Sequence, residues 1–251
     1  MPYLELDQNR YYYAGDLKKE GIPITFCHGS GGGHHHWLYQ VSGLNKPANP
    51  LAVDLPGHGR SAGEPSNTVA AYRDWLHAYA AAAGIVPFVP AGHSLGGAIA
   101  LDYALHYPEE IRGLILVGTG GRLKVLPAFL ECLEQGAVPG QFCDFLYGPH
   151  TAEEMLEKGR EEVLNNDPSI YYADLSACNN FDVMDRLHEI QCPCLIICGS
   201  DDQLTPPRYS HFMQERLHQS EVVLIEGAGH MVMLEKPDQV NEAITKFIKS
   251  L

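Results

Sequence analysis

The stretch GHSLGG, residues 92–97, sets Ser94 between glycines directly after the apolar run VPFVPA. A serine hydroxyl is a poor nucleophile at neutral pH. An attacking role therefore needs a base, an acid that orients the base, and hydrogen-bond donors for the developing oxyanion. Each has a candidate. His230, in EGAGHMVM, offers an imidazole; Asp201 and Asp202, after CLIICG, offer carboxylates; HGSGGG, residues 28–33, offers amides that glycines allow to approach a substrate closely. The donors expected are the amides of Ser30 and of Leu95, the residue after the serine. G-x-S-x-G permits a sharp strand-to-helix turn with the hydroxyl exposed above a sheet, and the order serine, acid, histidine fits that arrangement. The competing reading makes Ser94 only the N-cap of the next helix, a common place for serine.

The elements needed to hold these groups are legible around them. Apolar runs IPITFCHG, LAVDLPGHG, VPFVPAGHS, IRGLILVGTG, CPCLIICGSDD and EVVLIEGAGH alternate with amphipathic stretches, which predicts an α/β fold with a mainly parallel central sheet covered by helices. LELDQNRYYYAGDLKKEG reads as a preceding hairpin. TVAAYRDWLHAYAAAAG reads as a helix entered at Asn67-Thr68 and left at Gly84, and PDQVNEAITKFIKSL as the closing helix. Between Gly121 and Ile190 the rhythm changes to successive helical segments, an insertion over the carboxyl edge of the sheet. There, Thr151 and Glu154 suggest a capping box, and Glu153, Glu157 and Glu161 a wet helix face.

Composition narrows the partners. Against 31 Asp and Glu stand 17 Lys and Arg, a formal charge of −14, which repels polyanions and argues against nucleic acid. The seven cysteines have neither disulfide-framework nor zinc spacing, and Cys194 and Cys198 are expected in the core. MPYLELDQNR lacks a secretory apolar segment and no apolar run could span a bilayer, so membrane insertion is not expected and the chain reads as reduced and cytoplasmic. His34, His35 and His36 lack a complete ligand set in their spacing, so no metal is expected; His28 and His58 read as hydrogen-bonding loop residues. HGSGGG has neither dinucleotide nor P-loop context.

Taken in order, HGSGG, DLPGHGRS, GHSLGG, GSDDQLTP and GAGHMVMLEKP resemble the α/β-hydrolase family over nearly the whole chain. The resemblance implies Ser94 as nucleophile, His230 as base and Asp202 as acid. It also implies a first oxyanion amide at Ser30, with Gly31 the alternative. Residues 1–121 and 187–251 would be the hydrolase core and 122–186 a helical lid. LILVGTGG carries no carboxylate for the family's other acid position, and the elbow holds serine where dehalogenases and epoxide hydrolases of the family carry aspartate.

The expected reaction is acyl transfer from a small or medium, uncharged ester to water through an acyl enzyme, with no cofactor. Trp37, Phe142 and Phe145 are candidate substrate contacts, since apolar walls suit such ligands. A carbon–carbon bond hydrolase of a ring-cleavage product is the alternative: HGSGGG followed by Trp37 resembles that subgroup, whereas GHSLGG departs from its GNSMGG elbow. A ligand receptor retaining a hydrolase pocket is the third reading.

Overall fold

The structure is a computed structural model that describes residues 2–251. Strands β1 (Tyr3–Leu6), β2 (Asn9–Gly15), β3 (Ile22–Cys27), β4 (Ala48–Val53), β5 (Val89–His93), β6 (Leu114–Val117), β7 (Cys194–Gly199) and β8 (Ser220–Ile225) form one sheet, ordered β1-β2-β4-β3-β5-β6-β7-β8. From β4 to β8 every pairing is parallel; β1 and β2 make the expected antiparallel hairpin, and β2 joins β4 antiparallel. Strands covered on both faces need apolar side chains on both, and β4, β5, β6 and β7 are buried at every position. Alternation sorts them: Leu195 and Ile197 pack with Trp37, Val240 and Phe247, while Cys194 and Ile196 face Leu76, Leu101 and Met213.

The helices are α1 (Leu38–Gly43), α2 (Val69–Ala83), α3 (Leu95–His106), α4 (Pro127–Glu134), α5 (Glu153–Asn165), α6 (Pro168–Asn180), α7 (Pro207–Gln214), α8 (Val232–Glu235) and α9 (Pro237–Ile248). The ends of α2 follow its sequence signals: Thr68 accepts from the Ala71 amide at 3.3 Å, and Gly84 closes the helix at φ 66°. All seven cysteines are free thiols, with Cys194 and Cys198 buried as expected. Among the described residues, no helix is long and apolar enough to cross a membrane.

Between β6 and β7 the chain is helical, α4 to α6, with no sheet strand. Its two ends meet where Arg122 bridges Asp182 and the Val183 amide donates to the Gly121 carbonyl at 2.8 Å. Ala177 and Cys178 of α6 share a buried cluster with Leu95 and Ile99 of α3, so the end of this helical segment is continuous with the core. The capping box does not form. Ala152 is the N-cap of α5, without a side-chain bond, because the Thr151 hydroxyl instead donates to Glu235 Oε2 at 2.6 Å. A carboxylate is the stronger acceptor, and this one also takes the amides of Gly148 and Gly229. Glu153, Glu157 and Glu161 do face solvent.

Candidate functional site

Between β5 and α3 the chain reverses direction in a single residue. Ser94 has φ 52° and ψ −113°, outside the comfortable regions for an L-residue. Tight packing makes the turn possible: a Cβ on Gly92 would overlap the backbone of Gly96, and one on Gly96 would overlap the Cys27 carbonyl of β3. The Ser94 carbonyl accepts from the amides of Gly97 and Ala98 and from the Thr119 hydroxyl. Its own hydroxyl makes no capping bond, so the simple N-cap reading does not hold.

The loops after β7 and β8 bring an acid and an imidazole together. Asp202 Oδ2 accepts from His230 Nδ1 at 2.9 Å and from the Thr205 hydroxyl at 2.7 Å, while Oδ1 takes the amides of Leu204 and Thr205. Burial pushes the Asp202 pKa up, but His230 and the Thr205 donors outweigh it and hold the carboxyl well below its usual range. Asp201 faces outward, its Oδ2 accepting from the Ser200 hydroxyl at 2.8 Å. His93, next to Ser94, donates from Nε2 to the His230 carbonyl at 3.0 Å. Burial, then the neighbouring His230, keeps His93 neutral by lowering its pKa well below the ordinary value.

Residues of α6 and of the turn before it grip the HGSGGG loop. Gly31 lies at φ 66° with the Tyr171 ring where a Cβ would be, its amide donating to Asp174 Oδ2 at 2.8 Å and its carbonyl accepting from Asn166 Nδ2 at 2.6 Å. The Gly31 amide is thus engaged, whereas the amides of Ser30 and Leu95 meet no acceptor among the described residues. Sequence reasoning missed Asp174 and Asn166. A signal existed for Asp174, which stands three residues after Tyr171 and four before Cys178, on a face that is otherwise apolar.

Asp174 is fully buried and also accepts from Tyr72 Oη at 2.6 Å and His58 Nε2 at 2.9 Å. His58 Nδ1 faces the Pro56 carbonyl at 2.9 Å, so both ring nitrogens meet acceptors, which an imidazolium satisfies. His28, by contrast, donates from Nδ1 to the Gly29 carbonyl and accepts the Leu55 amide at Nε2, a neutral tautomer. Burial lowers the His58 pKa, but the Asp174 bond and charge outweigh it and raise it above the ordinary 6.5. A raised folded-state pKa gives stability that is complete below the unfolded value and lost as pH climbs through the folded one. Wild type is therefore expected to lose stability relative to His58→Gln as pH rises from about 6 to about 9. Urea midpoints across that range check this, and parallel pH curves for the two proteins would reject the charged pair.

A cavity of about 40 Å³ touches Ser30, His93 and His230, with Phe142, Tyr171 and Met231 among its other walls. A second, of about 300 Å³, is bordered by Leu126, Phe129, Phe142, Phe145, Leu204 and Tyr209, so Phe142 stands at both. A hollow of about 630 Å³ opens beside Asp144, Asp201 and Asp202, and neither Ser30 nor His230 lines it. Trp37, whose sequence context allows either a pocket wall or core packing, is fully buried and stacked on Phe26 of β3, ring centroids 4.6 Å apart, and so is not a substrate contact. Its large apolar surface is used in the core beneath the sheet.

Known proteins share this fold. A thermophilic esterase of known structure superposes with a TM-score of 0.85 at 34% identity, over 99% of this chain and 96% of that one. The dihydrolipoyllysine-residue acetyltransferase component of the acetoin cleaving system of Pseudomonas putida is 29% identical over 249 residues, 91% of this chain. The chain spans 64% of that relative's length. A Rhizobium rhizogenes protein provisionally named carbamate hydrolase RutD is 28% identical over 242 residues, 90% of this chain and 92% of its own. The sequence profile of the alpha/beta hydrolase family matches residues 26–243, from β3 into α9, and the chain belongs to that family.

Proposed function

We propose that the protein is a serine hydrolase that cleaves small, uncharged carboxylic esters through an acyl enzyme. One observation carries the reading: a strained elbow serine whose hydroxyl caps nothing directly follows His93, which bonds the His230 carbonyl, and the His230 ring is paired with buried Asp202. With Nδ1 donating to Asp202, the His230 lone pair lies on Nε2, the atom that takes the Ser94 proton as the hydroxyl attacks. Asp202 stabilises the imidazolium. The amides of Ser30 and Leu95 receive the oxyanion, a choice favoured because Gly31 already donates to Asp174. The imidazolium then gives its proton to the departing alcohol, and water activated by His230 releases the acid.

A turnover screen of the purified protein tests this, using acyl esters, amides, carbamates, lactones and a vinylogous diketone at matched concentration. Sustained ester turnover is expected. Preferential cleavage of the diketone would replace the reading with the carbon–carbon hydrolase, and saturable binding without turnover would replace it with a receptor.

Cavity size sharpens the substrate. About 40 Å³ holds roughly three water-sized groups, so acetyl and propionyl esters are expected to exceed hexanoyl esters in kcat/KM. Phe142→Ala removes the ring between the two cavities and should shift the hexanoyl-to-acetyl ratio upward by on the order of tenfold. An acyl-length series at constant leaving group measures it. An unchanged profile in folded Phe142→Ala would remove this residue from the substrate wall.

A further inference from the structure

His34–Trp37 is a single 3-10 turn directly after the HGSGGG loop. His35 Nε2 and His36 Nε2 both reach Oε1 of Glu162, at 2.7 and 2.9 Å. Glu162 belongs to α5, so the cluster joins the insertion to the core. The three ligand atoms lie within 4.8 Å of one another. We propose that His35, His36 and Glu162 bind a divalent transition-metal ion, Zn²⁺ foremost, which fastens α5 to the core. This site stands on its own donors and needs no part of the serine reading, although His36 and Glu162 also line the cavity of about 40 Å³ that His230 borders.

Two imidazoles and a carboxylate suit Zn²⁺ and leave a fourth tetrahedral position. A groove of about 510 Å³, lined by Tyr39, Met155 and Lys158 beside the cluster, gives an ion entry from solvent. Around a tetrahedral ion with bonds near 2.1 Å the donor atoms sit about 3.4 Å apart, so each imidazole–carboxylate contact must lengthen by roughly half an ångström while the two Nε2 atoms, within 4.8 Å of each other, adjust to the same spacing. The half-exposed His35 ring can supply that by rotation.

The proton count favours the ion. As hydrogen bonds alone, both Nε2 atoms must carry hydrogen, which leaves His36 Nδ1 a bare acceptor, buried without a partner. When Nε2 binds an ion, the neutral ring carries its hydrogen on Nδ1 instead. That atom lies beside the Gly29–Gly32 turn: a Cβ on Gly32 would be 2.6 Å from His36 Nδ1 and 3.2 Å from the Gly29 carbonyl. The Gly29 carbonyl already accepts from the Gly32 amide and His28, so the His36 ring must shift before its Nδ1–H shares that acceptor, as metal-bound histidines commonly do with a carbonyl. The ion replaces a site charge of about −1 by about +1, in a protein whose formal charge of −14 attracts cations.

The test starts from chelator-treated full-length protein titrated with Zn²⁺ by calorimetry, with thermal unfolding in parallel. One equivalent in the micromolar range is expected, with a raised unfolding midpoint. Glu162→Gln and His35→Ala should each weaken binding by at least about tenfold and remove the thermal gain. Should Glu162→Gln fail to fold, His35→Ala, at a half-exposed ring, still decides. The free thiols, Cys132 and Cys192 being partly exposed, are the rival ligands. Co²⁺ distinguishes them: tetrahedral d–d bands without thiolate charge transfer are expected. Absence of stoichiometric binding, binding intact in folded His35→Ala, or a thiolate band would each overturn the site.

Discussion

Ser94→Ala is expected to lower ester turnover by about four to six orders of magnitude and to abolish fluorophosphonate labelling, with the unfolding midpoint near that of wild type. Activity falls because the attacking oxygen is gone. Stability holds because that hydroxyl caps nothing, while the bonds that fix the elbow come from the Ser94 carbonyl, which alanine keeps. Ser94→Gly takes the argument further. At φ 52° and ψ −113° an L-residue carries strain of about 1–3 kcal/mol, which glycine relieves, so the glycine variant should be inactive yet unfold at a higher temperature than wild type. Opposite movements of activity and stability are what a backbone strained for function produces. Labelling retained at another serine would remove Ser94 from the proposal. A fall in stability in both variants would overturn the strain account.

For the adjacent acids, Asp202→Asn is expected to lower kcat by about three to four orders of magnitude while Asp201→Asn leaves it close to wild type. The substituted amide offers N–H where Asp202 Oδ2 now accepts, so the imidazole loses the partner that keeps its hydrogen on Nδ1 and its lone pair on Nε2. His230→Ala should be as severe as Asp202→Asn. Asp202 also stabilises the fold. Its pKa is depressed below the ordinary 3.8, so its contribution is present above that value and lost as pH falls through the folded one. The stability deficit of Asp202→Asn should accordingly shrink in acid. Single-turnover kinetics and denaturant unfolding at matched pH read both effects. Loss of activity in Asp201→Asn alone, with both variants folded, would transfer the acid role to Asp201.

The central sheet was legible because parallel strands buried on both faces leave continuous apolar runs such as CPCLIICG, and α2 because Thr68 and Gly84 mark its ends chemically. The Ser, Asp, His order could be read for the same reason: residue type and sequence order are local facts. Thr151 shows the limit of local rules, since its capping signal lost to a carboxylate 84 positions away. Trp37 could not be assigned from its size, which suits a pocket wall and a core equally; the facing Phe26 decided it. Asp201 and Asp202 are identical in type and adjacent, so only the turn that sets the Thr205 donors against Asp202 separates them. The pairing of Asp174 with the HGSGGG loop was beyond sequence patterns. A hydrogen bond reaches about 3 Å, whereas Gly31 and Asp174 are 143 positions apart, and only the packing of α6 against the core brings them within that reach.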